Sequence, residues 1–82
     1  MKKSYIDNYA LYNLVIVETI EGDKFKGWLV PYQKKYMLFP IDTNIWRKYI
    51  FNASFIKEIT HMTNNVSINK LAKELEKNIK FD

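Results

Sequence analysis

Lys24-Phe25-Lys26-Gly27-Trp28-Leu29-Val30 decides the fold class. Its residues alternate, so Phe25, Gly27 and Leu29 share one face of a strand while Lys24, Lys26 and Trp28 share the other. Upstream, Leu14 to Val17 is a β-branched apolar run that continues to Ile20 and meets a turn signal at Glu21-Gly22-Asp23. The two runs read as a hairpin. Downstream, Pro31 ends or bends the second strand, Gln33-Lys34-Lys35 forms a polar turn, and Tyr36 to Phe39 is a third strand stopped by Pro40.

The pattern continues in short pieces. Asp42-Thr43-Asn44 is a loop, Arg47 to Phe51 a fourth strand, Asn52-Ala53-Ser54 a short turn, and Phe55 to His61 a fifth strand. At the N-terminal end, Ser4-Tyr5-Ile6-Asp7 has the form of a capping box, and Ile6, Tyr9 and Ala10 follow at helical spacing, which predicts a short helix over 5–12. After the break at Thr63-Asn64-Asn65, Ser67 is a natural N-cap. Ile68, Leu71, Ala72, Leu75 and Ile79 then fall on one helical face opposite Lys70, Lys73, Glu74, Lys77 and Lys80, which predicts an amphipathic helix over 67–80. That helix either covers the open end of a small barrel or docks on a partner. It resembles the first helix of a helix-turn-helix, but no recognition helix follows.

Five short strands with tight turns and a short leading helix are similar to an SH3-like small barrel. The Sm-like family adds a residue pattern: Gly22, Phe25, Gly27, Leu29, Tyr32 and Leu38 fall at the spacings of its first motif. Phe51-Asn52-Ala53 followed by Ile56 and Ile59 resembles its second. The resemblance covers about residues 5–60. It implies a mainly-β fold, a five-stranded SH3-like (Sm-like) small barrel over 14–61, flanked by the two helices in a single domain spanning 1–82. Gly22 supplies the positive φ of a tight hairpin, and Gly27 lets a strand bend sharply. Phe25, Leu29 and Leu38 would then fill the interior. The family's RNA-contacting positions are occupied here by Gln33, Met37, Asn52 and Ala53, so the resemblance carries the fold and not the uridine pocket.

Composition narrows the function. At 82 residues the core is thin, and with no cysteine neither disulfides nor thiolate zinc sites can staple it. Self-association is the remaining support, which predicts a homo-oligomer or a complex with another protein. With 48% hydrophobic and 16% aromatic residues the chain is too apolar for disorder, yet no run reaches the ~20 residues of a membrane span. No signal-peptide h-region follows Lys2 and Lys3, so the expected location is cytoplasmic, without membrane partners. Abundant lysine, asparagine and isoleucine with Arg47 as the single arginine suit an AT-rich bacterium, its phages or its plasmids, and so a mobile genetic element.

No catalytic, metal or cofactor site is expected. His61 is the one histidine and lies at a strand end, Glu18 and Glu21 flank a turn, and no phosphate loop, nucleophile elbow or metal motif is present. The charge is more informative. Of the net +4, most resides in the middle, where seven cations from Lys24 to Lys57 face one anion, Asp42. Lys24, Lys26 and Trp28 share a face, Tyr32, Lys34, Lys35 and Tyr36 surround the next turn, and Trp46, Arg47 and Lys48 follow. Lysines neutralise phosphates and bases stack on aromatic rings, so the leading expectation is a non-catalytic accessory factor binding single-stranded nucleic acid through these ten residues. The rival is a protein-interaction module, a small subunit, inhibitor or adaptor of a larger and acidic protein. Tryptophan and tyrosine in a thin domain are usually core, and exposed lysines solubilise sheet edges, which is the plainer reading of the same residues.

Overall fold

The computed structural model describes residues 1–41 and 47–78. The order of elements is α1 (Lys3–Tyr9), β1 (Leu14–Thr19), β2 (Lys24–Tyr32), β3 (Lys35–Pro40), β4 (Tyr49–Phe51), a 3₁₀ turn (Ala53–Phe55), β5 (Ile56–His61) and α2 (Ile68–Asn78). All pairings are antiparallel, in one sheet of order β4-β3-β2-β1-β5. Mainly-β composition with a helix at each end is therefore as expected. Closure into a barrel is not: the sheet is unclosed among the described residues, with β4 and β5 as its edges. β4 keeps only three residues and, among the described residues, pairs with β3. The expected loop at Asp42-Thr43-Asn44 lies outside the described residues.

The first hairpin forms where the alternation places it, with Val17 opposite Phe25 and Glu18 opposite Lys24. Gly22 turns it at φ 92°, and its N–H donates to the Thr19 carbonyl at 3.0 Å. The second hairpin differs from expectation. Pro31 does not end β2, which runs on to Tyr32 and pairs Tyr32 with Lys35 across a two-residue turn, Gln33-Lys34. Pro31 sits beside that turn, so its missing N–H falls at the end of the ladder rather than in its middle. Gln33 takes φ 46° there, a position glycine usually fills.

Helix α1 begins before its expected start, with Lys2 at the N-cap position and no side-chain cap. The capping box does not form. Asp7 is instead engaged by the Tyr36 hydroxyl at 2.7 Å and by Lys3 Nζ at 3.6 Å. In α2, the Leu71 N–H donates to the Ser67 carbonyl at 3.0 Å, which sets Ser67 at the helix start as expected.

The inner face of the sheet holds the core. Val15 and Val17 of β1, Leu29 of β2, Tyr36 and Leu38 of β3, and Ile59 of β5 are buried there. Ile6 of α1, Ala10 at its C-cap, and Ile68 and Ala72 of α2 join the same cluster, so both helices pack on that face, α2 against α1 and β5. The sheet curls sharply over them. Phe25 of β2 and Tyr49 of β4 bring ring centroids to 4.5 Å although β3 lies between their strands. Gly27 permits this: a Cβ there would collide with the Phe39 carbonyl and lie 2.8 Å from Leu38 Cδ2.

Candidate docking face

Because successive strand residues point to opposite faces, burial of Val15, Leu29 and Leu38 dictates what the other face presents. Leu14, Trp28 and Phe39 line up across β1, β2 and β3. One pair further along, Val30, Met37 and Ile50 line up across β2, β3 and β4. No described helix packs on these rows. Trp28 is 41% exposed and Ile50 50%, and Leu14 and Phe39 are exposed too. Tyr32 extends the surface towards the second hairpin, and Ile41, whose N–H donates to the Lys26 carbonyl at 3.3 Å, extends it the other way.

Cations bracket this apolar surface. Lys24 and Lys26 precede Trp28 on the same face of β2. Lys35 is paired with Tyr32, and Lys34 is exposed in the turn. Lys48 places Nζ 5.7 Å from the centroid of the Phe39 ring, a cation–π contact at the β4 side, and Arg47 is exposed beside it. Beyond Lys24 the face becomes mixed in charge. Ile16, Glu18, Lys24, Lys26, Glu58, Thr60 and Asn65 line an open groove of about 370 Å³. Glu18 lies opposite Lys24 on one side and Glu58 on the other, and Lys57 Nζ is 3.9 Å from its Oε2.

Of the ten residues expected to contact nucleic acid, Lys24, Lys26, Trp28, Tyr32, Lys34, Lys35, Arg47 and Lys48 are exposed around this one surface. Tyr36 is not available to it. The side chain points inward, is 1% exposed, and its hydroxyl donates to Asp7 Oδ1 at 2.7 Å while accepting from Lys3 Nζ at 3.3 Å. Burial, and then the hydrogen bond and charge of Asp7, push the phenol well above its ordinary range. Trp46 lies outside the described residues. The sequence reading missed Leu14, Val30, Met37, Phe39 and Ile50. Their signal is phase: Met37 and Phe39 alternate with the buried Tyr36 and Leu38, so they share the side of Lys35.

Among the described residues, no three of His, Cys, Asp and Glu are grouped to hold a metal ion. His61 is half-buried opposite Val15 at the end of β5. Among the described residues no helix is long and apolar enough to cross a membrane. No family model, curated protein or solved structure matches the chain.

Proposed function

We propose that this chain is a non-catalytic protein-interaction module that docks on a larger protein through the outer face of its sheet. The observation that carries the reading is a pair of apolar rows on the outer face: Leu14–Trp28–Phe39, all exposed, and Val30–Met37–Ile50, of which Ile50 is exposed and the other two half-buried. Contiguous apolar surface rimmed by polar residues marks an interaction site. Aliphatic side chains in the patch favour a protein partner, since a nucleic acid offers rings and phosphates but little aliphatic surface to bury against them. The bracketing lysines suit a partner with an acidic rim.

Binding of single-stranded nucleic acid is the second reading. Trp28, Tyr32 and Phe39 on one basic face favour it, because bases stack on such rings. For the scaffold, placement of β5 beside β1 and a single 3₁₀ turn before β5 support a kinship with SH3-like small barrels. Copurification from the native host, with and without nuclease, tests the function. The docking reading expects a partner protein that survives nuclease and is lost from a Trp28→Asp variant that still folds. A nuclease-sensitive complex would favour the second reading.

A further inference from the structure

Resting on that docking reading, we infer that the partner presents an amphipathic α-helix to this face, with carboxylates beside its apolar stripe. The first argument is hydrogen bonding. β2 and β3, which carry the centre of the patch, each have a ladder on both sides, so their backbone groups are already paired. An occupant lying on the face must satisfy its own backbone, which a helix does internally and an extended segment does not.

The second argument is shape. From Ile41, level with Lys26, to Tyr32 the apolar strip runs six residues along β2, roughly 20 Å at ~3.3 Å per residue. A helix of about 13 residues has that length, and a helix is about 10 Å wide with its side chains. The strip is two strands wide at its centre, with Leu14 and Ile50 at the flanks. The side opposite the two helices is also the layer a sheet leaves to be covered.

The third argument is charge. Lys26 stands at one end of the strip, Lys34 and Lys35 at the other, and Lys48 at the side. Among the described residues, Glu18 on the same face lies opposite Lys24 and 3.9 Å from Lys57 Nζ. A second copy laid face to face would set these cations against one another, whereas carboxylates on a partner helix meet them.

The test uses the full chain and a labelled synthetic peptide of 18 residues. Its leucines are spaced i, i+4, i+7 and i+11, and its remaining positions are glutamate and alanine. A second peptide has lysine for glutamate, and a single-stranded oligonucleotide of 20 nucleotides is the third probe. Anisotropy should report binding of the acidic peptide at least ~tenfold tighter than of the basic one. Trp28→Ala should weaken it ~tenfold or more, the loss expected of a central aromatic anchor. Lys35→Glu should narrow the gap between the two peptides. Equal binding of both peptides, no binding of either, or tighter binding of the oligonucleotide overturns the inference. So does a dimer in sedimentation that dissociates on Trp28→Ala and excludes the acidic peptide. If the host partner is lost on Trp28→Asp while the acidic peptide fails to bind, the helix inference falls and the docking reading stands.

Discussion

At the scale of single residues, Tyr36 and Gly27 carry more of the structure than their types suggest. Tyr36 fills the core with its ring and ties α1 to β3 through Asp7 and Lys3. Tyr36→Phe removes the hydroxyl's hydrogen bonds to Asp7 and Lys3, both of which stay in contact with water, and should cost about 1 kcal/mol in a urea melt. The pH dependence has a definite sign. A phenol held protonated in the folded state, against an unfolded value near ~10, gives stability that is complete below ~pH 10 and falls as pH rises above it. Denaturant midpoints taken from pH 8 to 11 should decline, and the decline should be shallower in Tyr36→Phe. An equal decline in both proteins would assign the alkaline loss to other groups. Gly27→Ala drives a methyl into the Phe39 carbonyl, which is backbone and cannot rotate away. It should destabilise by at least ~2 kcal/mol, near the upper part of the range for overpacking.

At the scale of elements, the apolar stripe of α2 is used unevenly. Ile68 and Ala72 are fully buried, whereas Leu71 and Leu75 are half-buried. Ile68→Ala should therefore cost ~2–5 kcal/mol, enough to threaten folding in so small a domain, while Leu75→Ala should cost about 1 kcal/mol. Equal costs at the two positions would mean that the C-terminal half of α2 packs as tightly as its start. Much of this element was legible beforehand. The spacing from Ile68 to Leu75 announces the helix and its inner face, but two residues on that face look alike in sequence. Their difference lies in the packing: Ile68 and Ala72 belong to the buried cluster shared with the sheet and α1, whereas Leu71 and Leu75 do not. The capping box expected at Ser4 is absent: the helix starts at Lys3 with Lys2 as its N-cap, and Asp7 meets a long-range partner, Tyr36, brought in by the sheet.

At the scale of the molecule, docking and nucleic-acid binding part company in salt. An oligonucleotide held by three or four of the lysines should lose affinity with a slope between roughly −2 and −3 in log K against log salt, at about −0.7 per phosphate. A partner held mainly by the rows of Trp28 and Met37 should stay bound when salt is raised to several hundred millimolar, since burial of apolar surface is not screened. Copurification repeated in high salt checks this, and release of the partner by salt alone would count against the apolar rows. Sedimentation of the isolated chain bears on self-association. With like charges bracketing the face, it should run as a monomer at micromolar concentration in low salt.

By itself the sequence determined the periodicities: alternation in β2, helical spacing in α2, the glycine at the first turn and the basic middle of the chain. These are local properties, set by the geometry of strand and helix, and they were enough to separate Lys24, Lys26 and Trp28 from Phe25 and Leu29. The inward placement of Leu29 and Leu38 was expected from sequence, but which way Tyr36 and Phe39 turn was decided only by the tertiary structure. Tyr36 and Trp28 are both large rings beside lysines, and composition does not distinguish them. Pairing with β2 puts Tyr36 over the helices and Phe39 beside Trp28, so one ring is spent on the core and the other two are left facing outward. Exposure is a property of what lies across the sheet, and strands far apart in the chain supply it.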